Sequence, residues 1–339
     1  MQRESEFKVY TARELLSERS IEDKYLVEGM LWEYDHVFLV GADKAGKSIL
    51  SLQMACALSC GDAFLSMYEV PEPVAVLYIQ MEGKKQDTIE RLKGMINEQG
   101  VSCDPDNLHI MYCKDLPLDT QVGFDTLNLA LRKLSNIRVV IIDPLYMAMV
   151  GDLNDNKDSR NMVKNIRALG DIHKVAFLIN HHEHRAPKTK EGAIIAEKGS
   201  DSIFGSFVWR AFADHVLMLK VKPDERRTLT CSTQRSGKVV KDLELDLIGP
   251  YPLYFVIIGN DHKPYVEEVY KVLQTIDIHQ GITREDLCKK CKLGMSAVEK
   301  SLHILYREDK ADRLNPGHRP IKWVPCITTP IRTKLLRPN

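Results

Sequence analysis

The sequence predicts an α/β protein, a mostly parallel sheet flanked by helices, with a small C-terminal winged helix-turn-helix domain. Three observations predict it. Short apolar runs of strand length alternate with helical patterns from residue 36 to residue 180. A glycine-rich segment, Gly41 to Ser48, lies between the first such run and the first long helix. After residue 250 the texture changes to short helices, tight turns and a closing pair of apolar stretches.

The first run, His36-Val-Phe-Leu-Val40, is continuous, as a strand buried on both faces requires. It leads directly into Gly41-Ala42-Asp43-Lys44-Ala45-Gly46-Lys47-Ser48, and Ile49 to Cys60 follows with helical length and composition until Gly61 ends it. Val74–Gln80, Val139–Ile142 and Val175–Asn180 are further buried-strand patterns. The helices between them are Lys85–Gln99, Leu127–Leu134 and Ser159–His173. Such alternation builds βαβ units with helices on both faces of a parallel sheet. Ala213–Leu219 is a fifth such run, and Thr228–Ser232 and Lys238–Leu247 after it read as later antiparallel strands.

Residues 1–24 form an N-terminal extension with one amphipathic stretch, Thr11 to Ser17. The core is expected over 25–250, a linker rich in Gly and Pro over 251–264, and the C-terminal domain over 265–339. That domain reads as helices Tyr265–Ile276, Arg284–Cys291 and Ser296–Arg307 followed by a hairpin, Ala311–Leu314 with Ile321–Val324. Three short helices and a hairpin match a winged helix-turn-helix. Thr283 and Ser296 stand at cap positions, with Asp286 and Glu299 three residues on as capping-box partners.

Composition sets the class. With 44% hydrophobic and 28% charged residues, the chain is an ordinary globular one. No stretch approaches the roughly 20 apolar residues of a membrane span. The start, MQRESEFKVY, has no apolar signal core, so the expected location is cytoplasmic and no membrane partner is expected. The eight cysteines are scattered, as packed reduced thiols are. Only Cys288 and Cys291 have zinc-like spacing, and without a second close pair they read as helix residues. A net charge of zero conceals an asymmetry. From His262 onward 15 Lys and Arg face nine Asp and Glu, a net +6 that leaves −6 for the rest. A basic tail on an acidic body points to a polyanionic partner.

Gly41 to Ser48 satisfies G-x-x-x-x-G-K-[ST] at every fixed position. The glycines let the backbone wrap phosphate oxygens with its N–H groups, and the helix beginning at the lysine adds its positive end. The cradle is Gly41, Ala42, Asp43, Lys44, Ala45, Gly46, Lys47, Ser48 and Ile49. In it Lys47 serves the β and γ phosphates of ATP and Ser48 the Mg2+ ion. Val139-Val-Ile-Ile-Asp143 is an apolar strand ending in a carboxylate, so Asp143 is the second magnesium residue, at the carboxyl edge of the sheet. Glu82, just past the strand Val74–Gln80, is the candidate general base for the attacking water, with Glu90 its competitor on a helix face. No acceptor site for a metabolite is recognisable.

Several pieces in one order resemble a known family. They are Gly41 to Ser48, Gly61-Asp-Ala-Phe-Leu65, Leu77-Tyr-Ile-Gln-Met-Glu82, Ile141-Ile-Asp-Pro-Leu145, Asn154-Asp-Asn156 and Asn180-His-His182. Together, over about residues 25 to 245, they look like the RepA-like branch of RecA/DnaB-type ATPases, to which plasmid-encoded replicative helicases belong. The resemblance implies a RecA fold, ATP with magnesium, and a homo-oligomer, a ring such as a hexamer, with nucleotide between neighbours. It implies that a histidine at the end of the next strand senses the γ-phosphate; His182 is chosen over His181. Thr233-Gln-Arg235-Ser-Gly237-Lys238 resembles the late hairpin whose basic residue reaches into a neighbour's site. Arg235 is the candidate finger, with Lys238 its companion and Arg226 and Arg227 its rivals. A planar guanidinium suits that task because it bridges several phosphoryl oxygens.

In such motors the loops after two of these strands face a central channel, here Gly151 to Arg160 and Glu183 to Ser200. The second carries Arg185, Lys188, Lys190 and Lys198, as a phosphate-tracking loop for single-stranded DNA would. In the C-terminal domain Lys300 and His303 on the third helix and Arg313, His318 and Arg319 in the wing are the candidates for duplex contact, with docking of a protein the competing use. The expected function is an ATP-hydrolysing motor acting on DNA; the alternative is a regulatory or loader ATPase directed to DNA or a protein by its winged helix.

Overall fold

Apolar strands from distant parts of the chain find cover on both faces of one sheet, and that sheet organises the protein. The computed structural model describes residues 9–326, except 18–23, 100–104, 135, 184–204, 235–240, 249–252, 259–262, 294–297, 299–300, 303–304, 307–309 and 315–321. A short helix α1 (Ala12–Ser17) and an antiparallel pair, β1 (Tyr25–Val27) and β2 (Leu31–Trp32), precede the sheet. Its parallel strands are β3 (His36–Gly41), β4 (Ala75–Gln80), β5 (Leu108–Tyr112), β6 (Ile137–Asp143), β7 (Ala176–His182) and β8 (His215–Val221). Then β9 (Arg227–Gln234), β10 (Leu243–Ile248) and β11 (Tyr254–Ile258) extend it antiparallel. The order of the nine strands is β11-β10-β9-β8-β3-β7-β6-β4-β5.

The two faces follow from alternation along each strand. Val37 and Leu39 of β3 pack with α2 (Lys47–Cys60) and α3 (Lys85–Gln99), through Leu50, Met54, Leu58 and Met95. Phe38 and Val40 point the other way. They meet α4 (Gln121–Lys133), α5 (Asn156–His173) and α6 (Phe207–Phe212) through Leu127, Leu131, Ile166, Trp209 and Phe212. Each such side chain contributes about 1.5–3 kcal/mol by leaving water. Nearly every residue of α2 is buried, because the sheet, α3 and β11 enclose it. A helix apolar all round belongs in such a place.

Two strands differ from expectation. β5 occupies the outer parallel edge with no fully buried side chain, four being half-buried and Tyr112 exposed, so it lacks a continuous apolar run. β11 falls inside the stretch expected as a linker, 251–264, and instead forms the other edge of the sheet. Its Phe255 is fully buried against α2, which no linker residue would be. Gln53 of α2 fixes the register: its Nε2 donates to the Phe255 carbonyl at 2.9 Å, and the Phe255 N–H donates to its Oε1 at 2.8 Å. The core therefore runs to residue 258. Cys60, expected as a free thiol, is disulfide-bonded.

At the amino edge of the sheet the starts of β3 and β8 are clasped reciprocally. His215 Nε2 lies 3.0 Å from Asp35 Oδ2, and His36 Nδ1 lies 3.1 Å from Asp214 Oδ2. Trp32 stacks on His215 with ring centroids 4.7 Å apart.

The C-terminal region has its own core. α7 (Lys263–Gln274), α8 (Arg284–Cys291) and the antiparallel pair β12 (Ala311–Arg313) and β13 (Trp323–Pro325) surround Val269, Leu273, Leu287, Val298, Leu302 and Trp323. Ile282 and Trp323 exchange backbone hydrogen bonds at 2.9 and 2.8 Å, adding the turn before α8 to that pair. Thr283 caps α8 as expected, its Oγ1 accepting from the Asp286 N–H at 3.2 Å. Cys288 and Cys291 lie on α8, and Cys291 is buried. Ser296 lies outside the described residues. Among the described residues, no helix is long and apolar enough to cross a membrane.

Candidate active site

The carboxyl ends of β3, β4, β6 and β7 lie near one another in the sheet, and the loops leaving them line a cleft of about 970 Å³. Gly41 ends β3 where a Cβ would come within 2.5 Å of the Leu219 carbonyl oxygen on β8. Gly46 has φ +104°, and a Cβ there would press 2.6 Å from the Phe255 ring. A side chain at either position would displace the loop from its strand or from its floor. The helix begins at Lys47 with no side-chain cap on Gly46, so a ligand's oxygens can meet the end of the helix that opens toward the cleft. Lys44 sits in the left-handed region at φ 61°, Ala45 is buried, and Asp43, Gly46, Ser48 and Ile49 line the cleft.

Lys47 is buried, and its amine donates to the carbonyls of Gly41 at 2.8 Å and Ala42 at 2.9 Å. Burial lowers its pKa, and the carboxylates of Asp43, Asp143, Glu183 and Glu82 act against that shift. The cleft thus concentrates negative groups around one desolvated ammonium.

Asp143 ends β6 as expected, buried, with both oxygens engaged. Ser48 Oγ donates to Oδ1 at 3.1 Å, Asn180 Nδ2 to Oδ1 at 2.7 Å, and Tyr78 Oη to Oδ2 at 2.6 Å. Ser51 closes the network, 3.1 Å from Tyr78 Oη and accepting from Asn180 at 2.9 Å. Burial first and the Asp143 charge second push the Tyr78 phenol well above its usual pKa, so it remains a donor. Sequence reasoning assigned no role to Tyr78, Ser51 or Asn180. Their signal was a polar atom inside otherwise apolar strands and helix. Ser48 and Asp143 offer hard oxygen ligands at one point, the donor set magnesium takes.

Glu82 follows β4 and lines the cleft, where Tyr146 Oη donates to its Oε2 at 3.0 Å. Glu90 is instead bonded to Gln86 along α3 and does not line the cleft. Tyr146 lies in a 3-10 turn, Leu145–Ala148, just after Asp143. Its ring meets that of His182 with centroids 5.2 Å apart. His182 ends β7 facing the P-loop, its Nδ1 2.7 Å from Asp43 Oδ1. His181 points into the core against Phe38 and Trp209, and its Nδ1 accepts from the His182 N–H at 2.9 Å. Burial and the Lys47 charge lower the His182 pKa, while Asp43 and Glu82 raise it. Arg91 of α3, which sequence reasoning did not name, also lines the cleft, as does Glu183, expected only as the start of the loop Glu183 to Ser200.

Arg227 begins β9 beside the chain's own P-loop, its Nε 3.4 Å from the Ala45 carbonyl oxygen. Gln234, the last described residue before Arg235, pairs with His215 at the amino edge, opposite the cleft. Arg235, Lys238, Arg185, Lys188, Lys190, Lys198, Lys300, His303, His318 and Arg319 lie outside the described residues.

The loop 151–160, expected to face a channel, is pinned. Asp119 accepts from the Val150 and Gly151 N–H groups at 3.1 and 2.9 Å, and Asp158 from the Asp152 N–H at 3.1 Å. Asp155 caps α5, and the Leu153 carbonyl accepts from Ser206 N and Trp209 Nε1. Its aspartates are therefore spent on backbone amides of the loop itself.

Comparison with known proteins gives one family and several similar structures. The AAA_25 family, described as an AAA domain, matches residues 2–187. The chain is similar to a solved ATPase domain at 16% identity and a TM-score of 0.49, covering 67% of this chain and 86% of that one. A DnaB-like replicative helicase, whose structure addresses its interactions with primase, is similar at 17% identity and a TM-score of 0.50, with 67% of this chain and 58% of that chain covered. A KaiC-like protein from Pyrococcus horikoshii OT3 is similar at 15% identity and a TM-score of 0.44, with 69% and 94% covered. No curated protein matches. At such identities the DnaB-like match speaks for the fold alone.

Proposed function

This chain belongs to the AAA_25 family of AAA domains and has the RecA-like P-loop ATPase fold, and on that premise we propose that it is an ATP-hydrolysing, ring-forming motor acting on DNA, a RepA-like helicase. One observation carries the reading. An amine, a hydroxyl, two acids and a histidine, namely Lys47, Ser48, Asp143, Glu82 and His182, meet at one cleft although they come from three separate strand ends and the helix that follows β3. Ser48 and Asp143 are the residues that would hold magnesium, which supplies charge neutralisation at the β and γ phosphates. Lys47 binds the same phosphates. Glu82 takes the proton of the attacking water, and His182 reads the γ-phosphate and passes its state to the segment that follows Glu183.

That segment contains Arg185, Lys188, Lys190 and Lys198, which are proposed to track single-stranded DNA. Its flanks support the coupling. His182 and Glu183 line the cleft at one end, and Ser206 hydrogen-bonds at the other to Leu153, another lining residue. The far position of Gln234 favours Arg235 acting on a neighbour's nucleotide over its own. The backbone exchange of Ile282 with Trp323 and the helix α8 support a winged helix in the C-terminal domain, with Lys300 and Arg319 as duplex contacts.

The test is ATP turnover with and without single-stranded DNA, followed by strand displacement on a forked duplex. A helicase shows stimulated turnover and ATP-dependent displacement. Turnover indifferent to DNA would refute the motor. Mixing Arg235→Ala with Lys47→Ala subunits should restore part of the activity each lacks; no rescue at any ratio removes Arg235 from the neighbour's site.

A regulatory or loader ATPase is the second reading. It is favoured by Phe255, which floors the phosphate loop at Gly46 and belongs to the last strand before the C-terminal domain. DNA-responsive turnover without strand displacement would select it.

A further inference from the structure

We propose that Tyr146 is a positioning residue for the general base, its hydroxyl holding the Glu82 carboxylate while its ring rests on His182, so that a shift of the imidazole moves the base. The inference rests on the reading of Glu82 as the base, and it supplies what that reading lacks, a physical link between the group that reads the phosphate and the group that activates water. Four groups form the chain. Asp43 from the P-loop lies 2.7 Å from His182 Nδ1, the His182 and Tyr146 rings meet at 5.2 Å, and Tyr146 Oη donates to Glu82 Oε2 at 3.0 Å. A carboxylate only accepts, so Asp43 keeps the proton of the imidazole on Nδ1 and leaves Nε2 as an acceptor. The Tyr146 bond occupies Oε2 and leaves Oε1 of Glu82 to receive the proton of water, while the phenol keeps its own. Burial, and then the bond to Glu82, push the Tyr146 hydroxyl up to about 12, so it donates throughout the working range.

The geometry excludes a purely structural use. Tyr146 is 36% exposed and contributes to neither face of the sheet core, so its hydroxyl is not placed there to satisfy a buried partner. Glu82 itself is exposed on a loop, the situation in which a flexible carboxylate needs an external tether to hold one orientation.

The experiment is a double-mutant cycle on ATP turnover with nucleotide affinity measured in parallel. Tyr146→Phe keeps the ring and removes only the hydroxyl. It should lower kcat about tenfold while leaving nucleotide Kd and thermal stability unchanged, a smaller loss than the roughly 10²–10⁴-fold that removing a general base itself produces. In a Glu82→Gln background the same change should have no further effect, because the tether then has no base to hold. Wild-type turnover in Tyr146→Phe, or losses that multiply in the double variant, would overturn the proposal while leaving the ATPase reading intact. Absence of turnover in the unaltered protein would overturn both.

Discussion

At the amino edge of the sheet Asp35 faces His215 and Asp214 faces His36; at the carboxyl edge Asp43 faces His182. The chemistry is the same and the settings differ. The side chains of His215 and Asp35 are 0% and 14% exposed, whereas those of His182 and Asp43 are 30% and 73% exposed. The first pair joins two neighbouring strands at their starts, beneath Trp32. The second joins a strand end to the phosphate loop across the cleft. A buried partner left alone costs about 1–3 kcal/mol, while an exposed ion pair contributes about 0–1 kcal/mol. The amino-edge pairs are therefore worth their place through stability, and the carboxyl-edge pair only through the geometry it imposes on the site.

Four outcomes would break or sharpen this contrast. The largest is Lys47→Ala, which should lower turnover by at least about a hundredfold, as loss of a charge aimed at the transition state does. Steady-state hydrolysis measures it, and a folded variant with ordinary turnover would end the reading of the carboxyl edge as catalytic. Next, Asp35→Asn should cost about 1–3 kcal/mol in a denaturant titration while turnover per folded molecule stays the same. A smaller stability change, below about 1 kcal/mol, is expected for Asp43→Asn. Its kcat should nonetheless fall severalfold, the reverse of the Asp35 pattern; equal profiles for the two variants would abolish the distinction.

The smallest effect is on pH dependence. Burial and Lys47 hold His182 below the usual histidine pKa, and burial and Arg132 do the same for His173. The unfolded chain then takes up these protons at higher pH than the folded one. Stability is complete above about 6.5 and declines as the pH falls below it, until the folded-state values are passed. Replacing His182 by Gln should flatten the slope of Tm against pH between about 7 and 5; a slope unchanged or steeper would contradict the sign.

Much of the carboxyl edge was legible in the sequence because its signals are local. A loop fixed by two glycines, a lysine and a serine announces itself, and Asp143 and Glu82 each follow an apolar run. The network around Asp143 was not legible. It depends on β4, β6 and β7 lying side by side, so that Tyr78, Asp143 and Asn180 meet across gaps of 65 and 37 residues. Tyr146 was hidden for the same reason, since its partner Glu82 is 64 residues away. The amino-edge clasp repeats the lesson: Asp35-His36 and Asp214-His215 are adjacent in sequence but face each other crosswise between strands. β11 had a readable apolar run, Tyr254 to Ile258, and the surrounding glycines and prolines masked it.

Those five residues also decide where the chain can be shortened. A catalytic fragment cut at residue 250, where composition changes, would discard Phe255, expose the underside of the phosphate loop and strand the amide of Gln53 without its two backbone partners. A fragment that retains residue 258 keeps this edge strand whole, and comparison of the two lengths in a nucleotide-binding assay would show how much of the pocket is built by its last strand.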